Sequence, residues 1–169
     1  MLLLETMRKL ERLASELKAI PGIESAIGLV ACPRRKLRDH IKDPDLLRVS
    51  GRLFQNGHHA RSVEEAFKYL NNLVKSRSGL EDLDGSALMK TAFSAKNPRL
   101  RLNTGATQSE HDEQLGYMEV MAGVMSGIRN PRAHDHEWED SEEHALQMLV
   151  LADHLVERAK MAAVPVGEA

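Results

Sequence analysis

Cysteine and aromatic residues are scarce in this 169-residue chain. Cys32 is the single cysteine, so an intramolecular disulfide is excluded and a zinc site built from thiolates is disfavoured. Phe, Trp and Tyr together supply only 4% of the residues. The core must therefore be built mainly from aliphatic side chains, and a sequence rich in Leu, Ala and Met favours helices over strands.

Long apolar runs and a strong excess of one charge are also missing. Stretches such as Met148–Ala152 are far shorter than the roughly 20 apolar residues that span a bilayer. The apolar start Met1–Leu4 meets charged residues at once, unlike a secretory signal, so we expect a cytoplasmic protein. The formal net charge of -2 excludes a globally basic, histone-like binder of nucleic acid.

Apolar side chains recur at helical spacing through most of the chain. Residues 2–20 form the first such stretch, and Pro21-Gly22 is expected to end it. Later helix starts are marked by capping residues or by residues that suit a first turn: Asp43-Pro44, Ser62 with Glu65, Asp84-Gly85-Ser86, Ser109 with Asp112, and Ser141. The pattern predicts an all-α protein folded as an up-and-down helical bundle.

The predicted bundle occupies the middle and end of the chain. Residues 1–33 are interpreted as an N-terminal helical extension, residues 34–163 as the bundle and residues 164–169 as a flexible tail. Weak alternation predicts one short extended segment near residues 97–103. The helix before Asn130-Pro131 is expected to stop there, because proline disfavours a helical residue in front of it.

The densest group of polar functional side chains lies at that predicted stop, in the run Arg129-Asn130-Pro131-Arg132-Ala133-His134-Asp135-His136. An arginine can bind a phosphate through two parallel hydrogen bonds, and a histidine can give or take a proton near neutral pH. Arg129 and His134 are therefore candidates for phosphodiester chemistry without a metal. From spacing alone, a solvated histidine after a common turn dipeptide also explains the pattern.

Other polar groups carry weaker signals. His134-Asp135-His136 has the spacing of half a metal site, but no further ligand stands out nearby, so we expect no metal and no other cofactor. Gly57-His58-His59 is interpreted as an exposed turn between helices. The basic run Arg34–Arg38 could contact an RNA backbone, although a linker or a solvated helix face explains it equally well.

Several stretches of the chain resemble a known family. The matching stretches are Leu53–His58, Val63–Lys68, Asp84–Met89, Glu113–Gly116 and Gly127–His134. They resemble the Ymh family of uncharacterised bacterial and phage-associated proteins, and the similarity extends from about residue 40 to residue 162. The motif from Arg129 to His134 also resembles that of the HEPN superfamily. Members of that superfamily carry an arginine, usually followed by a polar residue, and then a histidine four to six positions later.

The resemblance implies a compact helical bundle that forms a homodimer, with the two motifs facing each other across a cleft. It also implies a metal-independent endoribonuclease of the toxin or abortive-infection kind that acts in antiviral defence. An antitoxin or another defence-system protein is a further partner that the resemblance allows. The alternative is a non-catalytic helical dimer that binds RNA, a nucleotide or a partner protein. No membrane partner is expected.

Residue roles follow from the same resemblance. His134 would be the general acid or base in attack of the ribose 2'-hydroxyl on the adjacent phosphate, and Arg129 would stabilise the charge on the pentacoordinate phosphorus. Asn130 would hold the phosphate or orient Arg129. For Arg132 we expect a further phosphate contact, which is an inference from its charge and position rather than from the family.

Overall fold

A computed structural model describes residues 37–165, which belong to one compact unit that begins at Leu37. Its helices, in chain order, are Pro44–Gln55 (α1), His59–Ser78 (α2), Gly85–Ala92 (α3), Gln108–Val124 (α4), Asn130–His134 (α5) and Glu142–Met161 (α6). A 3-10 turn, Leu37–Asp39, precedes α1, and a π-helical turn, Met125–Arg129, joins α4 to α5. The predicted all-α bundle is confirmed.

Some predictions concern parts of the chain that lie outside the described residues. These are the helix over residues 2–20, the extension over residues 1–33, the basic positions 34–36 and the tail positions 166–169. Within the described part, no helix combines the length and the apolar character that a membrane crossing requires.

The core lies between the two 20-residue helices, α2 and α6. Helix α1 packs on α2, and α3 packs on α4, so each shorter helix covers a longer one. Phe67 and Leu70 of α2, Met121 of α4, and Leu149 and Leu155 of α6 are fully buried. Apolar residues three and four positions apart share a helix face, which is why these spacings produce one contiguous core.

Helix α1 begins as its sequence predicts. Asp43 has an extended backbone, and its carboxylate accepts hydrogen bonds from the amides of Asp45 and Leu46, while Pro44 occupies the first turn. Burial alone would raise the pKa of Asp43, but an ion pair with Lys160 of α6 and the two amides hold that pKa below its usual value. One carboxylate therefore caps α1 and also ties it to α6.

We expect Asp43→Ala to lower the free energy of unfolding by about 1–2 kcal/mol, because it removes the cap and the carboxylate partner of Lys160. Asp45→Ala is the matched control, since Asp45 pairs only with the exposed Arg48 and should change stability by no more than about 0.5 kcal/mol. Urea unfolding of both variants measures the difference. Equal midpoints for the two would contradict the capping role.

Two predicted N-caps, Ser62 and Ser109, are wrong by four and two residues respectively. Helix α2 begins at His59, so Ser62 lies inside its first turn, where its buried hydroxyl donates to the Ser50 carbonyl of α1, 2.9 Å away. Helix α4 is capped by Thr107 with Glu110, not by Ser109. Helix α2 has no side-chain cap, because the hydroxyl of Ser62 bonds to α1 and the imidazole of His58 makes no capping hydrogen bond, whereas α4 takes its cap two residues before the predicted one.

The extended segment predicted near residues 97–103 is reduced to one antiparallel bridge, and the described residues contain no strand. The amides of Arg101 and Ala163 each donate to the other's carbonyl, at 2.8 and 2.7 Å. The buried Gln114 side chain fixes the neighbouring chain by accepting from the Leu102 amide and donating to the Leu100 carbonyl. A side-chain amide thus supplies the hydrogen bonds that a second strand would have given.

The predicted helix stop at Asn130-Pro131 is also wrong. Asn130 keeps a helical backbone (φ -63°, ψ -43°), and its amide donates to the Met125 carbonyl five residues back. After this wider turn the α-helical hydrogen-bond pattern begins again, and Pro131 lies in the first turn of α5. A proline is tolerated at that position, because an amide in the first turn has no carbonyl partner within α5. Arg129 and His134 therefore lie on one continuous helical path instead of at a bent corner.

Candidate functional site

Arg129 is the last residue of the π-helical turn. Its side chain is half-buried, and its guanidinium Nη1 donates to Oδ1 of Asn130 at 3.1 Å. No other hydrogen bond joins the guanidinium to residues 37–165. This hydrogen bond places the Asn130 amide where it could orient the guanidinium. Most of the N–H donors of Arg129 are left for an anionic ligand.

His134 is the last residue of α5. It lies five positions after Arg129, about 7.5 Å further along a helical axis. Its imidazole is exposed and makes no hydrogen bond within the described part of the chain. Both ring nitrogens are therefore accessible to a ligand that approaches from solvent.

A polar cluster beside Arg129 was not singled out by the sequence. Asp84, at the start of α3, accepts from Lys75 at 2.8 Å and from Asn71 at 3.0 Å, and both partners lie on α2. These two hydrogen bonds keep the pKa of Asp84 low, with a smaller contribution from the nearby charge of Arg129. The only sequence signal was a pair of polar residues, Asn71 and Lys75, spaced to share one face of α2.

Arg132 does not occupy the position that a phosphate contact requires. Its guanidinium forms a two-pronged ion pair with Asp140, at 2.6 and 2.8 Å, and its third donor reaches the Ile128 carbonyl at 2.7 Å. Both side chains of the pair are only 2% exposed. The expectation of a phosphate contact is therefore corrected: Arg132 fastens α5 to the loop in front of α6.

The carboxylate of that pair stays ionised in the folded protein. Burial alone would raise the pKa of Asp140, but hydrogen bonds from Arg132 and Trp138, together with the Arg132 and His144 charges, hold it below the usual value. The Trp138 indole N–H donates to Asp140 at 3.3 Å. The loop between α5 and α6 is thus organised around one buried anion.

A polar groove of about 390 Å³ lies beside this loop, between it and the start of α2. Seven of its nine lining residues carry polar or aromatic side chains: His58, His59, Arg61, His136, Trp138, Glu139 and Asp140. The interpretation of Gly57-His58-His59 as a simple exposed turn is incomplete, because both histidines line this groove. Nowhere in residues 37–165 do three or more His, Cys, Asp or Glu side chains come together in a way that could hold a metal ion.

The family model Hypoth_Ymh, described as a protein of unknown function, matches residues 42–159. The chain belongs to the Ymh family. The match runs from just before α1 almost to the end of α6, so it includes the motif, the Arg132–Asp140 pair and the groove. No curated protein and no solved structure matches this Ymh chain. Because the family description gives no activity, the chemistry has to be argued from the residues themselves.

Proposed function

We propose that this Ymh protein is a metal-independent endoribonuclease whose Arg129 and His134 act on the RNA backbone, as the resemblance to the HEPN superfamily implies. One observation carries the proposal. Of Arg129, Arg132 and His134, only Arg132 is buried in an ion pair; His134 is exposed, and within residues 37–165 the Arg129 guanidinium is hydrogen-bonded only to Asn130. The two residues that the chemistry needs are the two with free polar atoms.

The reaction uses groups that RNA and these side chains already carry. The His134 imidazole accepts the proton of the ribose 2'-hydroxyl, and the 2'-oxygen attacks the neighbouring phosphorus. The phosphorus–O5' bond then breaks, O5' takes up a proton from solvent while the His134 imidazole releases the one it accepted, and the products are a 2',3'-cyclic phosphate and a 5'-hydroxyl. Arg129 offsets the charge that develops on the phosphorane, with Asn130 holding the guanidinium in place.

The charge around the motif is mainly unfavourable to an anionic substrate, and one ion pair reduces that effect. The exposed acids Asp135, Glu137 and Glu139 follow His134 and would repel RNA. The fourth acid of the loop, Asp140, adds little to that repulsion, because the guanidinium of Arg132 balances its charge within the protein. The internal ion pair therefore removes part of the electrostatic obstacle to an anionic substrate.

The proposal includes a homodimer. Helix α4 exposes two large apolar side chains, Leu115 (41%) and Val120 (46%), and Val120 shares a helix face with Gly116 and Gly123. A Cβ atom at either glycine would meet no neighbour within 4 Å. Such a surface suits close approach of a second copy, which would bring a second motif to the same substrate. An antitoxin or other defence-system partner is a further possibility for the same surface.

A cleavage assay tests the function. The purified full chain is incubated with mixed cellular RNA and excess chelator, beside a mock preparation from the same host without the gene. We expect cleavage by the protein alone, leaving 2',3'-cyclic phosphate and 5'-hydroxyl ends. Intact RNA, or products with 3'-hydroxyl ends, would overturn the proposal. RNA binding without cleavage would instead support the alternative of a non-catalytic binding protein.

A further inference from the structure

Trp138 is the only tryptophan of the chain, and it is exposed yet firmly held. Its indole N–H donates to Asp140, and the Arg132 guanidinium lies 5.3 Å from the ring centroid. Despite these contacts, 39% of the residue remains accessible to solvent, and it lines the groove. The buried ion pair therefore presents a fixed aromatic surface to whatever enters the groove.

Both sides of the groove offer hydrogen-bonding groups: His58 lies on the α2 side, and His136 lies on the same loop as Trp138, beside the exposed acid Glu139. His58 and His136 are exposed and have no hydrogen-bond partner for their imidazoles in the described part of the chain. Arg61 shares its charge with Glu64 and Glu65, at 2.6 and 3.0 Å. An aromatic surface beside imidazole groups, with the exposed carboxylate of Glu139 in the same lining, suits a flat heterocycle with a polar edge better than a bare anion.

We propose that this groove binds one unpaired base of the RNA substrate, stacked on Trp138 with its polar edge towards His58 and His136. The choice of RNA rests on the proposed function, which the groove deepens by specifying single-stranded RNA. His136 lies two positions beyond His134, so a base held here belongs to a nucleotide next to the phosphate under attack. A base within a duplex is already stacked and paired, and so it cannot enter without being extruded.

Fluorescence tests the groove without requiring cleavage. The full-length His134→Ala protein is titrated with a short single-stranded RNA, and emission is followed from the single tryptophan. We expect saturable quenching, with much weaker quenching by the same sequence as a duplex. Adding His58→Ala and His136→Ala to this protein should weaken RNA binding roughly 10-fold. Adding Trp138→Ala instead removes the fluorophore, so binding is then followed by the anisotropy of labelled RNA, and we expect it to weaken roughly 10- to 100-fold. His111→Ala, an exposed histidine on α4, is the matched control and should bind as tightly as the parent.

The outcomes separate this inference from the function on which it rests. Two results would overturn the base site even if the wild-type protein cleaves RNA. One is binding that anisotropy detects but that does not quench the tryptophan, and the other is an RNA affinity that the histidine substitutions leave unchanged. Quenching with the expected variant effects supports the base site even if the wild-type protein cleaves nothing, which would overturn only the nuclease. Absence of any binding overturns the inference.

Discussion

His134→Ala is expected to cut RNA roughly 10²- to 10⁴-fold more slowly than the wild-type protein, because it removes the group that moves the proton. Arg129→Ala should cost about 10²- to 10³-fold, since the developing charge on the phosphorane then lacks its guanidinium. Arg129→Lys should recover only part of that loss, because lysine keeps the charge but not the two-pronged geometry. Single-turnover cleavage of a labelled RNA in excess chelator measures all three rates.

Two controls check that the loss of cleavage is specific to His134. His111→Ala removes an exposed histidine at the other end of the long helical path and should cleave at the wild-type rate. His134→Ala should unfold at the wild-type temperature, because the imidazole it removes is exposed and makes no hydrogen bond within residues 37–165. A His134→Ala protein that is folded and fully active would contradict the assignment of this residue as the proton-transfer group.

Asp140→Asn is expected to lower the free energy of unfolding by about 3–5 kcal/mol, because it leaves the buried Arg132 charge without its counter-ion. For a domain of this size, that loss corresponds to a fall in melting temperature of roughly 10–20 °C. Scanning calorimetry or urea unfolding measures the loss. Glu139→Gln is the matched control: it neutralises an exposed neighbouring acid and should change stability by no more than about 0.5 kcal/mol.

The same variant should change the response to acid. The folded-state pKa of Asp140 lies below that of the unfolded chain, so the ion pair contributes fully above the ordinary aspartate pKa of about 3.9. That contribution is lost as the pH falls through the lower folded-state pKa. The stabilities of the wild-type and Asp140→Asn proteins should therefore differ most near neutral pH and converge in acid. A difference that stays constant down to pH 2 would show that Asp140 does not act through its charge.

The fold was predictable from the sequence wherever a helix boundary depends on its own residues. Asp43-Pro44 starts α1 and Ser141 starts α6, and each side chain accepts from an amide within the first turn, as local capping requires. Ser62 and Ser109 also look like caps, but each lies within three residues of a competing start. Sequence spacing cannot rank such neighbours, because the choice depends on tertiary contacts such as the Ser62–Ser50 hydrogen bond.

The candidate site was predictable in its residues but not in its arrangement. Arg129, Asn130 and His134 are apparent from spacing and from the family resemblance. The burial of Arg132 depends on Asp140, eight positions later, and only the folded loop brings them together. The general rule that a helix avoids the residue before proline also failed, because a wider turn can absorb Pro131 without breaking the helix.

The buried arginine has a consequence for how this protein can change. Helix α5 is the five-residue end of the helical path that runs on from α4, and a last turn has few hydrogen bonds of its own to hold it. Arg132, in the middle of that turn, fastens it to Asp140, and His134 follows two positions later. The Arg132–Asp140 contact therefore bears on both the thermal stability of the fold and the position of the His134 imidazole. A substitution that weakens this contact should lower the stability and disturb the imidazole together, so neither property should change alone at this position.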